Sequence, residues 1–261
     1  MKKVFFTISI IVPLLTSCSS NPITDIIREN LWVNAIQRVI YGYPDFPITR
    51  DMVENIPYAS IRVKIGKGPA GLMILQKKED NIYSWVSKDS VIFQIKKGRI
   101  IRTSGLTNDL IEYFFDNDLN FKKIIDENLN KAFALEKKDS KYLRDLLNCP
   151  AKDASNCNRE LIEGTTYLRT TNRMISLSNP EVRALELIVK TAQMGITKIT
   201  ILDREYEVML IKEITYNRKI DWVNQNFFWV DPQTGKVRKS IQQIAPNLPP
   251  ILIEVTKLPS E

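Results

Sequence analysis

The sequence predicts a mainly β protein: an antiparallel barrel, half-barrel or sandwich with an N-terminal helix and a central helical insertion. Three observations support this prediction. Apolar and polar residues alternate in many short segments, turn residues separate these segments, and only two longer stretches have helical spacing. The 44% hydrophobic and 26% charged content is ordinary for a globular protein.

The alternation is clear at Ile61, Val63 and Ile65, which are separated by single basic residues. Lys97–Gly98 and Asp231–Gly235 have the composition of hairpin turns. The other predicted strands are Gly71–Lys77, Ile82–Ser87, Val91–Lys96, Arg99–Thr103, Tyr167–Leu177, Val182–Val189, Ile196–Leu202, Glu205–Tyr216, Phe227–Val230 and Lys236–Ile244. Many antiparallel strands favour a closed or half-closed sheet, because closure limits exposed edges.

Two stretches have apolar residues three and four positions apart, which predicts helices. The first runs from Pro22 to Tyr41 and the second from Asn108 to about Leu147. No linker or shift in composition divides the chain after its amino-terminal segment, so we expect residues 18–261 to form a single β-rich domain.

The amino terminus has the pattern of a bacterial lipoprotein signal peptide. Lys2 and Lys3 precede an apolar stretch, Val4–Leu15, which is shorter than the ~20 residues of a membrane-spanning helix. Small residues then lead to Cys18, whose thiol can receive a diacylglycerol before cleavage. The sequence therefore predicts a signal peptide over residues 1–17 and a lipid anchor, with acyl chains such as palmitate, on Cys18. Ser19 follows the cysteine at the position where an aspartate would resemble the inner-membrane retention signal. This favours sorting of the protein to the periplasmic side of the outer membrane.

Two further cysteines, Cys149 and Cys157, lie in a segment rich in loop-forming residues. In an oxidising periplasm such a pair is expected to form a local disulfide bond. Closing so short a loop stabilises a protein by roughly 2–3 kcal/mol on the chain-entropy account.

The composition excludes several kinds of catalytic site. The chain has no histidine, which rules out serine triads, Cys–His pairs and histidine-based zinc sites. The glycines at positions 66, 68 and 71 match a dinucleotide-binding spacing, but Pro69 interrupts it and a strand, not a helix, is predicted to follow. We therefore expect no metal and no cofactor. The formal charge of +7 is a mild excess, and because acidic residues are scattered among the basic ones an ordinary soluble surface explains it. The same excess would suit an anionic polymer or lipid headgroups, whereas no nucleic-acid motif is present.

Paired carboxylates and clustered aromatic residues leave two further possibilities open. Asp89, Asp109 and Asp231 are loop candidates for a glycosidase pair, although turn and helix-end roles explain each of them. Aromatic residues at Tyr83 and Trp85 and at positions 222–229 can stack on sugars or line an acyl pocket, although core packing is the ordinary use of such residues.

Several motifs together give the chain a family resemblance. They are Tyr58-Ala59-Ser60, the segment with Trp85, Ser87 and Asp89, then Gly98, Arg99, Thr103, Gly105 and Leu106, and the terminal Phe228, Trp229, Asp231, Gly235, Val237 and Ser240. In this order they resemble the YjbF/GfcB family of lipoproteins. The resemblance implies a β-barrel-like fold and a place in an operon for capsule or exopolysaccharide secretion. It supplies no catalytic residues, and Trp85, Asp89, Arg99, Thr103 and Trp229 are the candidate ligand surface.

The sequence leads to three hypotheses for the function, which are given in order of preference. The first is a non-enzymatic accessory factor in capsule or exopolysaccharide assembly and export, whose partners are the outer membrane, anionic polysaccharide and other export proteins. The second is a carrier that holds lipids or lipoproteins in a half-barrel, because the hairpin at positions 228–235 is also similar to that of such proteins. The third is a polysaccharide-modifying enzyme. For the third, two carboxylates within ~5–10 Å in an open cleft are required.

Overall fold

In this computed structural model, described over residues 45, 47–115, 120–128, 169–217 and 219–259, twelve strands form one antiparallel sheet. The strands are β1 (Ser60–Ile65), β2 (Gly71–Glu79), β3 (Ile82–Ser87), β4 (Ile92–Lys96), β5 (Arg99–Ser104), β6 (Leu110–Phe115), β7 (Arg169–Ser178), β8 (Glu181–Ile201), β9 (Arg204–Asn217), β10 (Trp222–Val230), β11 (Val237–Gln242) and β12 (Ile251–Lys257). The described helices are α1 (Arg50–Asn55) and α2 (Phe121–Asn128).

The order of strands across the sheet is β5-β4-β3-β2-β1-β12-β11-β10-β9-β8-β7-β6. The first and last strands in sequence therefore pair at the centre of the sheet, with Val63 opposite Ile253. The sheet curls until its two edge strands, β5 and β6, lie next to each other. The result is a nearly closed antiparallel barrel, which confirms the predicted fold class.

Side chains close the seam between the edge strands. In the described residues, no backbone ladder joins β5 to β6. Instead, the hydroxyl of Thr103 donates to Oδ1 of Asp109 at 2.8 Å and accepts from the backbone N–H of Leu110 at 2.9 Å. The backbone N–H groups of Gly105 and Leu106 also donate to the carboxylate of Asp109. Asp109 thus holds the loop between the two edge strands.

The main apolar core lies inside the barrel because alternate residues of each strand face inward. In β9, for example, Met209, Ile211 and Glu213 face the interior, whereas Val208 and Leu210 pack in a separate cluster on the outer face. The tip of the β8–β9 hairpin is held by Arg50, which donates to the carbonyl groups of Ile201 and Thr256.

The structure corrects three details of the predicted secondary structure. Leu110–Phe115 was predicted as helix but is strand β6, because long-range pairing with β7 overrides the local spacing. Val182–Val189 and Ile196–Leu202 belong to one long strand, β8, which bends at a bulge near Gly195. Strand β12 was not predicted. Within the second predicted helical stretch, α2 is helical as expected.

The predicted amino-terminal helix, the lipidation site Cys18 and the pair Cys149 and Cys157 lie outside the described residues. Neither helix among the described residues has the length and apolar character needed to cross a bilayer.

Candidate binding site

The barrel has a cavity at one of its ends. Since neighbouring strands are antiparallel, the β2–β3, β4–β5 and β10–β11 turns lie at the same end as the carboxyl end of β12. We call this end the mouth and the space within it the mouth cavity. Its volume is about 340 Å³, which falls within the ~300–1,000 Å³ range of ligand pockets.

The wall of the mouth cavity is mostly apolar. The apolar side chains that strands contribute to it come from five strands and are Ile61, Tyr83, Trp85, Ile95, Val237, Ile253 and Val255. Pairing brings them together: Ile61 lies opposite Val255, and Tyr83 lies opposite Ile95. The rings of Tyr83 and Trp85 stack with their centroids 6.4 Å apart. This wall is suited to an apolar group of a ligand.

The rim of the mouth cavity is basic. Three lysines line it, Lys78, Lys97 and Lys236, and no aspartate or glutamate is found among its described lining residues. Arg238 and Lys239 also border the cavity, but their side chains lie on the outer face of β11, over the rings of Tyr206 and Trp229. Arg238 is paired with Asp231 at 2.9 Å and Lys239 with Glu254 at 2.8 Å. The three rim lysines at an apolar cleft concentrate positive potential there, which favours anionic ligands.

The β4–β5 turn forms one edge of the mouth cavity because Gly98 allows a close approach. Lys97 and Gly98 have φ angles of 49° and 79°, the paired positive values of a tight hairpin turn. A Cβ atom on Gly98 would lie 2.2 Å from Cγ2 of Val237. The amide side chain of Gln242 fixes this contact, since its Nε2 donates to the carbonyl of Gly98 at 2.9 Å and its Oε1 accepts from the N–H of Ile100 at 3.1 Å.

The β10–β11 turn forms another edge. Oδ1 of Asp231 accepts the backbone N–H groups of Gln233 at 3.0 Å and Thr234 at 3.1 Å, as expected for a turn aspartate. Burial alone would raise the pKa of the Asp231 carboxyl, but these bonds and the bond from Arg238 hold the pKa below its ordinary value. A Cβ atom on Gly235 would lie 2.7 Å from Cβ of Lys122, so the turn packs directly on α2.

A buried ionic cluster lies beside the mouth cavity. Arg173 donates to both carboxylate oxygens of Glu213 at 2.9 Å, and Arg99 donates to Oε1 of the same carboxylate at 2.6 Å. Arg173 also donates to the hydroxyl of Tyr113 at 2.7 Å. Phe121 separates the cluster from the cavity, since its ring lines the cavity and its centroid lies 3.9 Å from Cζ of Arg99.

The two arginines determine the ionisation of the cluster. Burial would raise the pKa of Glu213, but the positive charges of Arg173 and Arg99 and their hydrogen bonds lower this pKa to about 2. The Glu213 carboxyl is therefore ionised at neutral pH. Burial also raises the pKa of Tyr113, so its phenol stays protonated. We assign this cluster a structural role, because it joins four strands across the barrel interior.

The structure distributes the predicted ligand surface over different parts of the barrel. Trp85 lines the mouth cavity. Arg99 belongs to the buried ionic cluster, beside the cavity, and Thr103 holds the seam at the opposite end. Asp89 is exposed in the β3–β4 turn, also at the opposite end. Trp229 packs in the apolar cluster on the outer face of the sheet. The five residues therefore do not form one surface, and their role in ligand binding stays a prediction.

The three candidate carboxylates do not share a cleft. Asp231 lies at the mouth and pairs with Arg238, whereas Asp89 and Asp109 lie in loops at the opposite end. Both oxygens of Asp109 accept hydrogen bonds from the seam. Over the described part of the chain, no three metal-ligating side chains come close enough to hold a metal ion.

The sequence-based reasoning missed the rim lysines and the contribution of β12. Lys78, Lys97 and Lys236 each lie at or next to a turn that joins two antiparallel strands. A correct alignment of the hairpins would have placed all three at one end of the barrel. The alignment requires the pairing of β1 with β12, which joins the two ends of the chain and leaves no local signal.

Comparison with known proteins identifies the family. Residues 33–256 match the family model of the group 4 capsule polysaccharide lipoprotein gfcB, YjbF. The chain belongs to this family. The predicted family is thereby confirmed, and the family is described as lipoproteins of a capsule polysaccharide, not as enzymes.

Two relatives in Escherichia coli K12 are lipoproteins described as uncharacterized. The chain is 30% identical to YjbF over 99 residues, or 38% of this chain and 43% of YjbF, so that match spans less than half of the relative. It is 22% identical to GfcB over 221 residues, or 84% of this chain and 85% of GfcB.

A solved structure supports the fold. The crystal structure of the hypothetical lipoprotein YmcC from Escherichia coli K12 superposes with a TM-score of 0.55 at 19% identity, covering 94% of this chain and 100% of YmcC. At this identity the likeness concerns the barrel alone.

Proposed function

We propose that this YjbF-family protein is anchored by lipid on Cys18 to the periplasmic side of the outer membrane. There it serves, without catalysis, as an accessory factor in the assembly or export of a capsule or exopolysaccharide. It acts by holding an anionic ligand in the mouth cavity. Its partners are the outer membrane, the anionic polysaccharide or a precursor of it, and proteins of the export machinery.

Two observations support the cellular part of this proposal. The description of the family refers to a lipoprotein of a group 4 capsule polysaccharide, and the relatives YjbF and GfcB are named as lipoproteins. The amino-terminal sequence of this chain has the pattern of a lipidation signal that ends at Cys18.

The composition of the mouth cavity supports the molecular part of the proposal, that the protein acts by holding a ligand. An apolar wall under a rim of three lysines, with no carboxylate among the described lining residues, provides binding energy and positive potential. Glycoside hydrolysis needs two carboxylates on either side of the scissile bond. The described cavity is therefore suited to hold a ligand and not to cleave it.

Complementation of a deletion strain tests the proposal. Val255 lies half-buried in the cavity wall, and Val86 lies half-buried on the outer face of β3. We expect the wild-type gene and Val86→Phe to restore surface polysaccharide, measured by uronic acid assay of washed cells. Val255→Phe narrows the cavity and is expected to fail at equal protein level. Unchanged polysaccharide in the deletion strain, or full rescue by Val255→Phe, would overturn the proposal.

The anchor has its own test. We expect Cys18→Ala to abolish incorporation of an alkyne-labelled palmitate and to remove the protein from the outer-membrane fraction of a sucrose gradient. Incorporation of label into Cys18→Ala would show that the lipid is carried elsewhere, and an unlabelled wild-type protein would show that it is absent.

A carrier for lipids or lipoproteins is the second candidate, and the apolar wall of the cavity is the observation that favours it. A carrier of this kind predicts a different phenotype. The deletion strain would keep its surface polysaccharide but would retain lipids or lipoproteins in the inner membrane, which density-gradient fractionation of the envelope detects.

A further inference from the structure

The division of the mouth cavity into an apolar wall and a basic rim indicates the chemistry of its ligand. The wall below the rim is made of aliphatic and aromatic side chains apart from Ser240, whose hydroxyl accepts from Nε2 of Gln242. The neutral polar residues Asn81, Asn120 and Thr234 lie at the turns and at the start of α2. Hydroxyl groups of a sugar ring placed against Ile253 or Val255 would lose hydrogen bonds to water without replacement. A hydrocarbon chain loses nothing in this position.

The rim differs from the wall in charge. Lys78 and Lys236 are exposed and lie at the mouth, on β2 and after the β10–β11 turn, with β1 and β12 between them. A ligand whose chain lies against Ile61, Trp85 and Val255 therefore has its outer end among cations. A negative group at that end meets the positive charge of the rim lysines.

We infer that the mouth cavity binds a single hydrocarbon chain that ends in an anionic group, a phosphate or a carboxylate, with the chain against Trp85 and the anion among the rim lysines. This inference rests on the proposed function in one respect, that the barrel acts by binding at this cavity. In a capsule pathway the class of molecule with this chemistry is the lipid-bearing end of a glycan or of its precursor.

Fluorescence quenching by brominated amphiphiles tests the inference. The full-length lipoprotein is placed in phosphatidylcholine nanodiscs and titrated with dodecyl phosphate or dodecanoate that carries a terminal bromine. Bromine quenches indole only at short range, so bound chains are expected to quench Trp85 saturably. Trp85→Phe should remove the quenched component, and Val255→Phe should weaken binding at least tenfold while Val86→Phe leaves it unchanged.

Chain length and charge provide two independent readouts. Burial of a methylene tightens binding roughly fourfold, so two more carbons should tighten binding about fifteenfold until the chain fills the cavity. The double variant Lys78→Glu/Lys236→Glu is expected to weaken the binding of dodecyl phosphate about tenfold. Lys67→Glu/Lys88→Glu changes the charge equally at exposed positions of the opposite end and serves as the matched control. Brominated dodecanol should be unaffected by either variant.

The outcomes separate the ligand classes. Preference for the phosphate over the carboxylate head, or the reverse, identifies the head group and supports the inference in either case. Absence of saturable quenching, or equal binding of the alcohol and the two anions, would overturn the inference. Binding of dextran sulfate to the protein without any quenching by the amphiphiles would overturn it too.

If quenching succeeds but Val255→Phe still restores polysaccharide in cells, the proposed function fails and the ligand assignment stands. If quenching fails but Val255→Phe abolishes polysaccharide, the ligand assignment fails and the function stands.

Discussion

The guanidinium of Arg99 lies 2.6 Å from the carboxylate of Glu213 and both side chains are almost completely buried. Arg99 belongs to an edge strand, β5, and Glu213 to β9 on the far side of the seam. Arg173 on β7 shares the same carboxylate. In a barrel whose edge strands lack a backbone ladder in the described residues, this ionic cluster connects the two halves of the sheet.

Replacing Glu213 should destabilise the barrel strongly. Glu213→Gln leaves two buried guanidinium groups without their shared negative charge, and breaking a buried ion pair in this way costs about 3–5 kcal/mol. Urea unfolding followed by tryptophan fluorescence measures the loss. Glu205 lies on β9, like Glu213, and pairs at the surface with Lys198 of β8. Glu205→Gln should therefore cost less than about 1 kcal/mol. Equal losses for the two variants would contradict a structural role for the cluster.

The same carboxylate should make the stability of the barrel depend on acid. The pKa of Glu213 is about 2 in the folded protein against an ordinary value of 4.5. A lowered folded pKa stabilises the protein fully above pH of about 4.5, and this contribution is lost as the pH falls towards about 2. The difference in unfolding free energy between wild type and Glu213→Gln should therefore shrink by about 3 kcal/mol over this range. If the difference in unfolding free energy stays constant with pH, the pKa of Glu213 is not lowered in the folded protein.

The parts of the fold that depend on local sequence could be predicted. Alternation marked β1, and Lys97–Gly98 marked a tight turn, because each pattern depends on residues next to one another. The turn role of Asp231 was also predictable, since its side chain bonds to backbone groups two and three residues later. These features use no information from distant strands.

The parts that depend on distant pairing could not be predicted. Strand β6 has helical spacing in isolation and becomes a strand through its register with β7. The acidic member of the buried cluster, Glu213, follows a basic residue in a strand, like many surface pairs, and nothing local shows that two arginines reach it. The mouth cavity has the same origin, because its wall comes from strands at both ends of the chain.

Substitution of Gly98 should disturb the mouth. Gly98→Ala places a Cβ where Val237 already lies and imposes a positive φ on alanine, so we expect a loss of more than about 1 kcal/mol in unfolding free energy. Adding Val237→Ala should recover only part of the steric loss, because Cβ of residue 237 would still lie 2.6 Å from the new methyl group, and none of the backbone part. Gly71→Ala, at a glycine with nothing within 4 Å of the added methyl group, is the control. A loss at Gly98 no larger than at Gly71 would show that the turn is not tightly packed.

Cys149 and Cys157 lie outside the described residues, and their disulfide bond stays a prediction from the sequence. Protein isolated from the periplasmic face should show no reaction of these two thiols with maleimide until it has been reduced. Replacing both with serine should lower the unfolding free energy by roughly 2–3 kcal/mol. Two reactive thiols in the unreduced protein would show that the bond does not form.

The seam between β5 and β6 should depend on a single hydroxyl. Thr103→Val keeps the shape of the side chain but removes the donor to Asp109 and the acceptor for the N–H of Leu110, which is fully buried. A buried donor left without its partner costs about 1–3 kcal/mol. Hydrogen exchange should locate the effect, because the amide of Leu110 is expected to lose protection while the central β1–β12 ladder keeps it. Thr200→Val, at an exposed position of β8, should change neither quantity. If instead Thr103→Val leaves the Leu110 amide protected, the seam is held by contacts other than this hydroxyl.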